Sequence, residues 1–110
     1  MDLSPLLENR VIMRMYFLVN SDLSVGNAMN SVAHGSMMAL LEWGEREQFR
    51  SWLKDSFKKV TCEAASPEEF EAAKLQGEHI IVTESALDGK EMVLVFFPID
   101  DRMPFKLYRR

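Results

Sequence analysis

Cysteine, histidine and excess positive charge are all scarce in this chain, and each scarcity removes a class of function. Among 110 residues, Cys62 is the only cysteine, and His34 and His79 are the only histidines. One cysteine cannot close a disulfide within the chain, so a reducing compartment is expected, the cytoplasm by default. Cys62, His34 and His79 have no metal-ligand spacing, so no metal and no other cofactor is implied. Seventeen acidic residues against thirteen basic ones leave a net charge of −4, so no global attraction draws nucleic acid to the chain. Long apolar runs are missing too. Residues 11–19 come nearest, but Arg14 interrupts them and they fall far short of the roughly 20 residues a membrane span needs. The N-terminus lacks the charged-then-apolar pattern of a secretory leader, and no membrane role is expected.

What is present is ordinary globular composition, enough for one domain over residues 1–110 with a modest core. The stretch that organises it is 22–43, DLSVGNAMNSVAHGSMMALLEW. It reads as a loop running into a helix, with Ser24 or Asp22 as the cap and Gly26 where the backbone can come close to a ligand. At 100° per residue, Val25, Met29, Val32, Ser36, Ala39, Leu40 and Trp43 share one face, which is expected to pack on a sheet. Asn27, Asn30, Ser31, His34 and Met38 share the opposite face.

In chain order, residues 1–10 carry Pro5 and three leucines and read as a short turn or arm. Residues 11–19 (VIMRMYFLV) are dense in β-formers on both alternations, as a central strand covered on two sides requires. A second amphipathic helix is expected over 46–55, from Phe49, Trp52 and Leu53 at helical spacing, and a strand over 57–64. Ser66-Pro67-Glu68-Glu69 is a capping box opening a helix to about Gln76, with Gly77 as its stop. Strands follow over 79–83 and 92–97, with a tight turn at Asp88-Gly89 between them. The tail from Ile99 holds Phe105, Leu107 and Tyr108 and is expected to pack back. The fold class is α/β: a single domain with a four-stranded mixed sheet and helices on both faces.

A strand followed by Asp22-Leu23, Gly26 and a helical histidine resembles the opening of the second type of peptidyl-tRNA hydrolase. A related group of small proteins with the same fold has Gly-x-x-x-Asn-x-x-x-His, here Gly26, Asn30 and His34. The hydrolases carry Gly-Lys-Gly-Lys after the Asp-Leu, then a Gln and a His. This chain has Gly26-Asn27-Ala28-Met29, without either lysine. The resemblance continues through the later strands. Where the family has Asp-Ala-Gly-x-Thr-Gln after its third strand, this chain has the shorter Glu84-Ser85-Ala86-Leu87, with Glu84 in place of the Asp. The family's C-terminal helix is longer than the tail here.

Each candidate has a plainer explanation beside it. An imidazole can act as general base or acid, and His34 follows Asn30 by four residues, so the pair suits acid–base work beside an amide; it equally suits a half-buried structural histidine. Glu84 ends a strand where α/β sheets hold ligands, or is a solvated loop carboxylate. Gly26 with Ser24 and Asn27 offers an anion site at a helix N-terminus, or an ordinary helix start. Cys62 reads as a small apolar residue in its strand, and the methionines as core filler or groove lining. Lys54, Lys58 and Lys59, with Arg102, Lys106, Arg109 and Arg110, form two basic clusters that would track an RNA backbone if they shared a side.

The resemblance implies a divergent peptidyl-tRNA hydrolase-like protein cleaving peptidyl- or aminoacyl-tRNA esters. Its catalytic residues would be His34 and Glu84, and its substrate-binding residues Gly26, Asn27 and Asn30. The competing reading is a non-catalytic domain that kept the fold and binds a small ligand or a protein. The partners in view are tRNA, a small polar ligand, and a second copy of the chain as a homodimer.

Overall fold

A computed structural model describes residues 12–100 together with 105, 106, 108 and 109. The expected arm at 1–10 lies outside the described residues, as do Arg102, Met103, Leu107 and Arg110 of the tail. Four strands form one sheet in the order β2-β1-β4-β3. They are β1 (Arg14–Val19), β2 (Lys58–Glu63), β3 (His79–Glu84) and β4 (Lys90–Phe96). β1 pairs in parallel with β2, while β4 runs antiparallel to both β1 and β3. The carboxyl ends of β1, β2 and β3 therefore meet at one edge. Helices α1 (Val25–Trp43) and α2 (Glu47–Lys54) pack on one face, and α3 (Pro67–Ala73) packs on the other with Phe105 and Tyr108.

The central strands follow from their composition. Every residue from Met15 to Val19 is buried, Met15, Phe17 and Val19 toward α1 and α2, Tyr16 and Leu18 toward α3. A strand covered on both faces needs this unbroken apolar run. In β4 the register passes from Val82↔Val93 to Thr83↔Glu91, so Met92 is an extra residue. Met92 and Val93 consequently both face the α1 side, as a bulge allows. Asp88 (φ 55°) and Gly89 (φ 74°) are both left-handed and make the expected turn. Ser66 Oγ accepts from Glu69 N at 3.1 Å and Glu69 Oε1 accepts from Ala65 N at 3.0 Å, a capping box that reaches one residue further back than the standard form. This helix ends at Ala73, short of the expected Gln76.

The faces of α1 differ from expectation. Ser31, Gly35, Ala39 and Trp43 are buried, while Val25 and Met29 are 75% and 67% exposed. Ser31, expected on the polar face, lies against the sheet, and the apolar arc centred on Val25, Met29 and Leu40 does not. The reason is steric. A Cβ on Gly35 would stand 2.6 Å from Val95 Cγ2 and 3.2 Å from Val82 Cγ2. The helix seats on its small residues because they bring its axis closest to the sheet, and that close contact outweighs the hydropathy of a bulkier arc. Gly, Ser and Ala contribute little to a hydropathy count, so the seam was invisible to it.

On the other face Tyr16 stacks on Phe105 with ring centroids 4.2 Å apart and planes at 7°. Its hydroxyl is buried without a hydrogen-bond partner among the described residues. Two stability predictions follow from these contacts. Gly35→Leu overfills the α1–sheet contact and should cost about 2–3 kcal/mol, read as a fall in Tm of about 10 °C or more. Tyr16→Phe removes a desolvated hydroxyl and should leave stability unchanged or raise it by up to about 1 kcal/mol in a urea titration.

Candidate functional site

The loop after β1 is fixed to β4 by one side chain. Asn20 N donates to Met92 O and Asn20 Nδ2 donates to Glu91 O, each at 2.8 Å, while Asn20 Oδ1 accepts from Ser21 N at 2.8 Å. Asp22 then takes a left-handed conformation (φ 63°), and Ser24 caps α1, its Oγ accepting from Asn27 N at 3.2 Å. This sets the N-terminus of α1, with its unsatisfied N–H groups and the positive end of its dipole, at the carboxyl edge of β1, β2 and β3. Ligands of open α/β sheets bind at such an edge.

Gly26, Asn27, Asn30 and His34 are all exposed on α1. A Cβ on Gly26 would meet nothing within 4 Å, so packing within this chain makes no demand for glycine there. With the seam of Ser31, Gly35 and Ala39 turned to the sheet, helical periodicity points Asn30 straight at solvent and tilts Asn27 and His34 toward the β3 side. Glu84 is half-buried and its Oε1 accepts from Ala86 N at 3.0 Å, capping the 3-10 turn Ser85–Leu87. Two residues beyond Val82, it stands on the sheet face that α1 covers. It lies about one helical turn nearer the α1 N-terminus than Gly35 does. Glu84 thus shares an end and a face of the sheet with Asn27 and Asn30, and His34 sits further down the same flank. Neither His34 nor Glu84 lines the clefts described below.

Positive charge is sparse at this edge. α1 carries no Lys or Arg in its 19 residues, and Glu42 is its one charged side chain. Lys74 is bound to Glu71 and, at 2.6 Å, to Glu91, and Arg109 lies 3.2 Å from Glu63. The hydrogen bonds it donates to Glu71 and then to Glu91 hold the Lys74 ammonium above its usual pKa. Both cations are thus engaged by carboxylates; Lys90 lies opposite Glu84 in the β3–β4 register. Of the two basic clusters, Lys58 and Lys59 lie apart from Arg109 along β2. Lys58 and Lys59 open that strand, while Arg109 O accepts from Glu63 N at its far end. Lys59 Nζ lies 3.1 Å from the Phe57 ring centroid, and burial lowers its pKa.

The other flank of α1 is apolar. One cleft of about 370 Å³ is lined by Val19, Ala28, Met29, Val32, Ala33 and Thr61. It shares Val19, Ala28, Met29 and Thr61 with a second, of about 230 Å³, that reaches Leu23, Val25, Cys62 and Glu63 at the carboxyl edge. Sequence reasoning allowed the methionines a groove but did not place one on this flank, although the signal was there: α1 has more apolar residues than one sheet-facing stripe uses. The second histidine has a structural place. His79 Nδ1 is 2.8 Å from Gly77 O, and its ring tilts on Phe96 at 5.6 Å, on the α3 side of the sheet. Cys62 is buried on that side as well. No group of three His, Cys, Asp or Glu suited to a metal occurs among the described residues.

A family model for the peptidyl-tRNA hydrolase PTH2 matches residues 13–98, which takes in every strand and helix. The chain belongs to that family. A comparison with curated proteins finds no match. No helix among the described residues is long and apolar enough to cross a membrane. Within the family fold, the exposed placement of Asn27, Asn30 and His34 yields a prediction. Asn27→Ala, Asn30→Ala and His34→Ala should each keep stability within about 0.5 kcal/mol of the parent in thermal melts, since none removes a buried contact. A large loss at any of them would mean that the side chain holds the fold.

Proposed function

We propose that this chain is a divergent peptidyl-tRNA hydrolase-like protein that cleaves the ester between a peptidyl or aminoacyl group and tRNA, slowly and without the lysines the family pattern carries. The observation that supports the reading is the family match across the whole sheet and all three helices, with a helix N-terminus at the sheet's carboxyl edge. His34 is the base: its imidazole takes a proton from a water whose oxygen bonds to the ester carbonyl carbon. The amides of Asn27 and Asn30 donate hydrogen bonds to the oxyanion that forms, and Gly26 leaves room beside them. The C–O bond to the ribose then breaks, and the ribose hydroxyl leaves with a proton returned from the imidazolium. Glu84 supports the positive charge that His34 acquires. Because α1 offers amides instead of ammonium groups, it holds a tRNA phosphate by hydrogen bonds alone; the charge attraction that remains comes from the helix dipole and from cations elsewhere in the chain, and salt screens it.

The rival reading is a binding domain that has lost hydrolysis. One observation favours it: the His34 ring makes no hydrogen bond among the described residues, so nothing orients it before a ligand arrives. Release of labelled peptide from peptidyl-tRNA separates the two. Wild type should turn over slowly at low ionic strength and show little or no turnover at physiological salt, and His34→Ala should abolish the slow release. Silence of the wild type at both salt concentrations would favour the binding domain. Release that survives His34→Ala would move the chemistry to other residues.

A further inference from the structure

Of the two outer strands, one is guarded and the other is not. β2 carries exposed Lys58 and Lys59, and the tail closes its far end, where Glu63 N donates to Arg109 O at 2.6 Å. β3 has no Lys, Arg or Pro in its six residues, HIIVTE. Phe97 N donates to Glu78 O at 2.9 Å, and the register sets Ile80 opposite Val95 and Val82 opposite Val93. These are the pairs that exchange hydrogen bonds, because such pairs alternate along an antiparallel ladder. The N–H and C=O groups of His79, Ile81 and Thr83 therefore point out of the open edge, along about 13 Å of strand. None of the six has a backbone partner among the described residues. Half-buried Ile80 and Ile81 flank the edge, one on each face of the sheet. The strand ends at Glu84, and the flank of α1 that bears Asn27 and His34 is the one on the β3 side.

We propose that this edge binds the peptidyl part of the ester substrate as an added strand, parallel to β3, with the esterified residue beside Glu84. That occupant rests on the hydrolase reading above. A row of outward N–H and C=O groups at strand spacing matches one ligand chemistry, an extended peptide main chain. An unguarded edge is where such a chain adds. The ester carbonyl lies by His34 and Glu84, at the carboxyl end of β3. The carboxyl end of the peptide forms that ester, so the chain leaves toward His79 and runs in the same direction as the strand. A peptidyl group has no fixed sequence, and main-chain pairing asks for none. Free peptide binds weakly, at about millimolar concentration, because ordering it offsets most of what its hydrogen bonds return. In the substrate the ester holds it at an effective concentration of about the same order, so the strand forms once the carbonyl is seated.

An RNA-free pentapeptide, N-acetyl-Thr-Val-Thr-Val-Thr-amide, tests the edge by NMR without any turnover, so a failure here is told apart from a failure of hydrolysis. In the free protein the amides of His79, Ile81 and Thr83 should exchange fast, while those of Ile80 and Val82 exchange slowly. Saturating peptide should slow the three severalfold. Methylating the third and fourth amide nitrogens of the peptide leaves neither of its own edges intact and should abolish the effect. Thr83→Pro, at an exposed position whose N–H serves no bond to β4, should weaken binding. A nitroxide on the carboxyl end of the peptide should broaden Thr83 more than His79. Exchange at the three amides that peptide leaves unchanged, slowing that survives methylation, or broadening strongest at His79 would overturn the proposal. Slow exchange at all three before peptide is added would overturn it too, since the edge would then already be filled.

Discussion

The close seating of α1 on the sheet is the contact on which the rest of this molecule depends. Gly35 sits where a single Cβ would press into Val95 and Val82, and Ser31, Ala39 and Trp43 continue the seam on either side. That contact decides the rotation of the helix about its axis. It also decides which side chains at the carboxyl edge face solvent, and on which flank. The Asn20 bonds to β4 fix where the helix begins; the small-residue seam fixes which way it looks. Both the polar and the apolar flank are consequences of that one orientation.

The architecture was readable in the sequence to a large degree, for physical reasons that can be named. The run around β1 is apolar on both alternations because both faces of the strand are covered. Ser66 and Pro67 mark a helix start by chemistry that acts within four residues, and Asp88-Gly89 marks a turn that needs left-handed backbone. These are local signals. The rotation of α1 is not local. It depends on how near Val82 and Val95, far away in the chain, come to a helix whose closest approach is made by residues with almost no hydropathy. Weighting by apolarity therefore selected Val25 and Met29 for the core, and the structure leaves both in solvent.

The candidate residues were partly legible for the same reason. That Asn27, Asn30 and His34 share a side of one helix follows from spacing; that they are exposed while Ser31, grouped with them by the same spacing, is buried does not. Their relation to Glu84 depends on the β3–β4 register and on the extra residue Met92, which no short-range pattern announces. The cation clusters were visible as composition, but the distance of Arg109 from Lys58 and Lys59 along β2 was not, since it takes the tail's contact with Glu63 to place Arg109.

Charge and orientation together give the residues of the Gly26-Asn27-Ala28-Met29 segment their meaning. In the resemblance to the hydrolases, Asn27 and Met29 stand where the family pattern has its two lysines. On α1 these positions fall on opposite flanks, Asn27 toward β3 and Met29 at the cleft with Val19 and Thr61. A lysine at each would spread positive potential around the whole N-terminal turn of the helix. With an amide at one and a thioether at the other, the potential there falls to that of the helix dipole, which acts only over the first turn. The two flanks then stop being one charged surface. One keeps hydrogen-bonding groups beside His34, and the other becomes apolar enough to lose free energy in water and gain it against another apolar surface. With Asn27 on one flank and Met29 on the other, the first turns of α1 carry no ammonium group on either side.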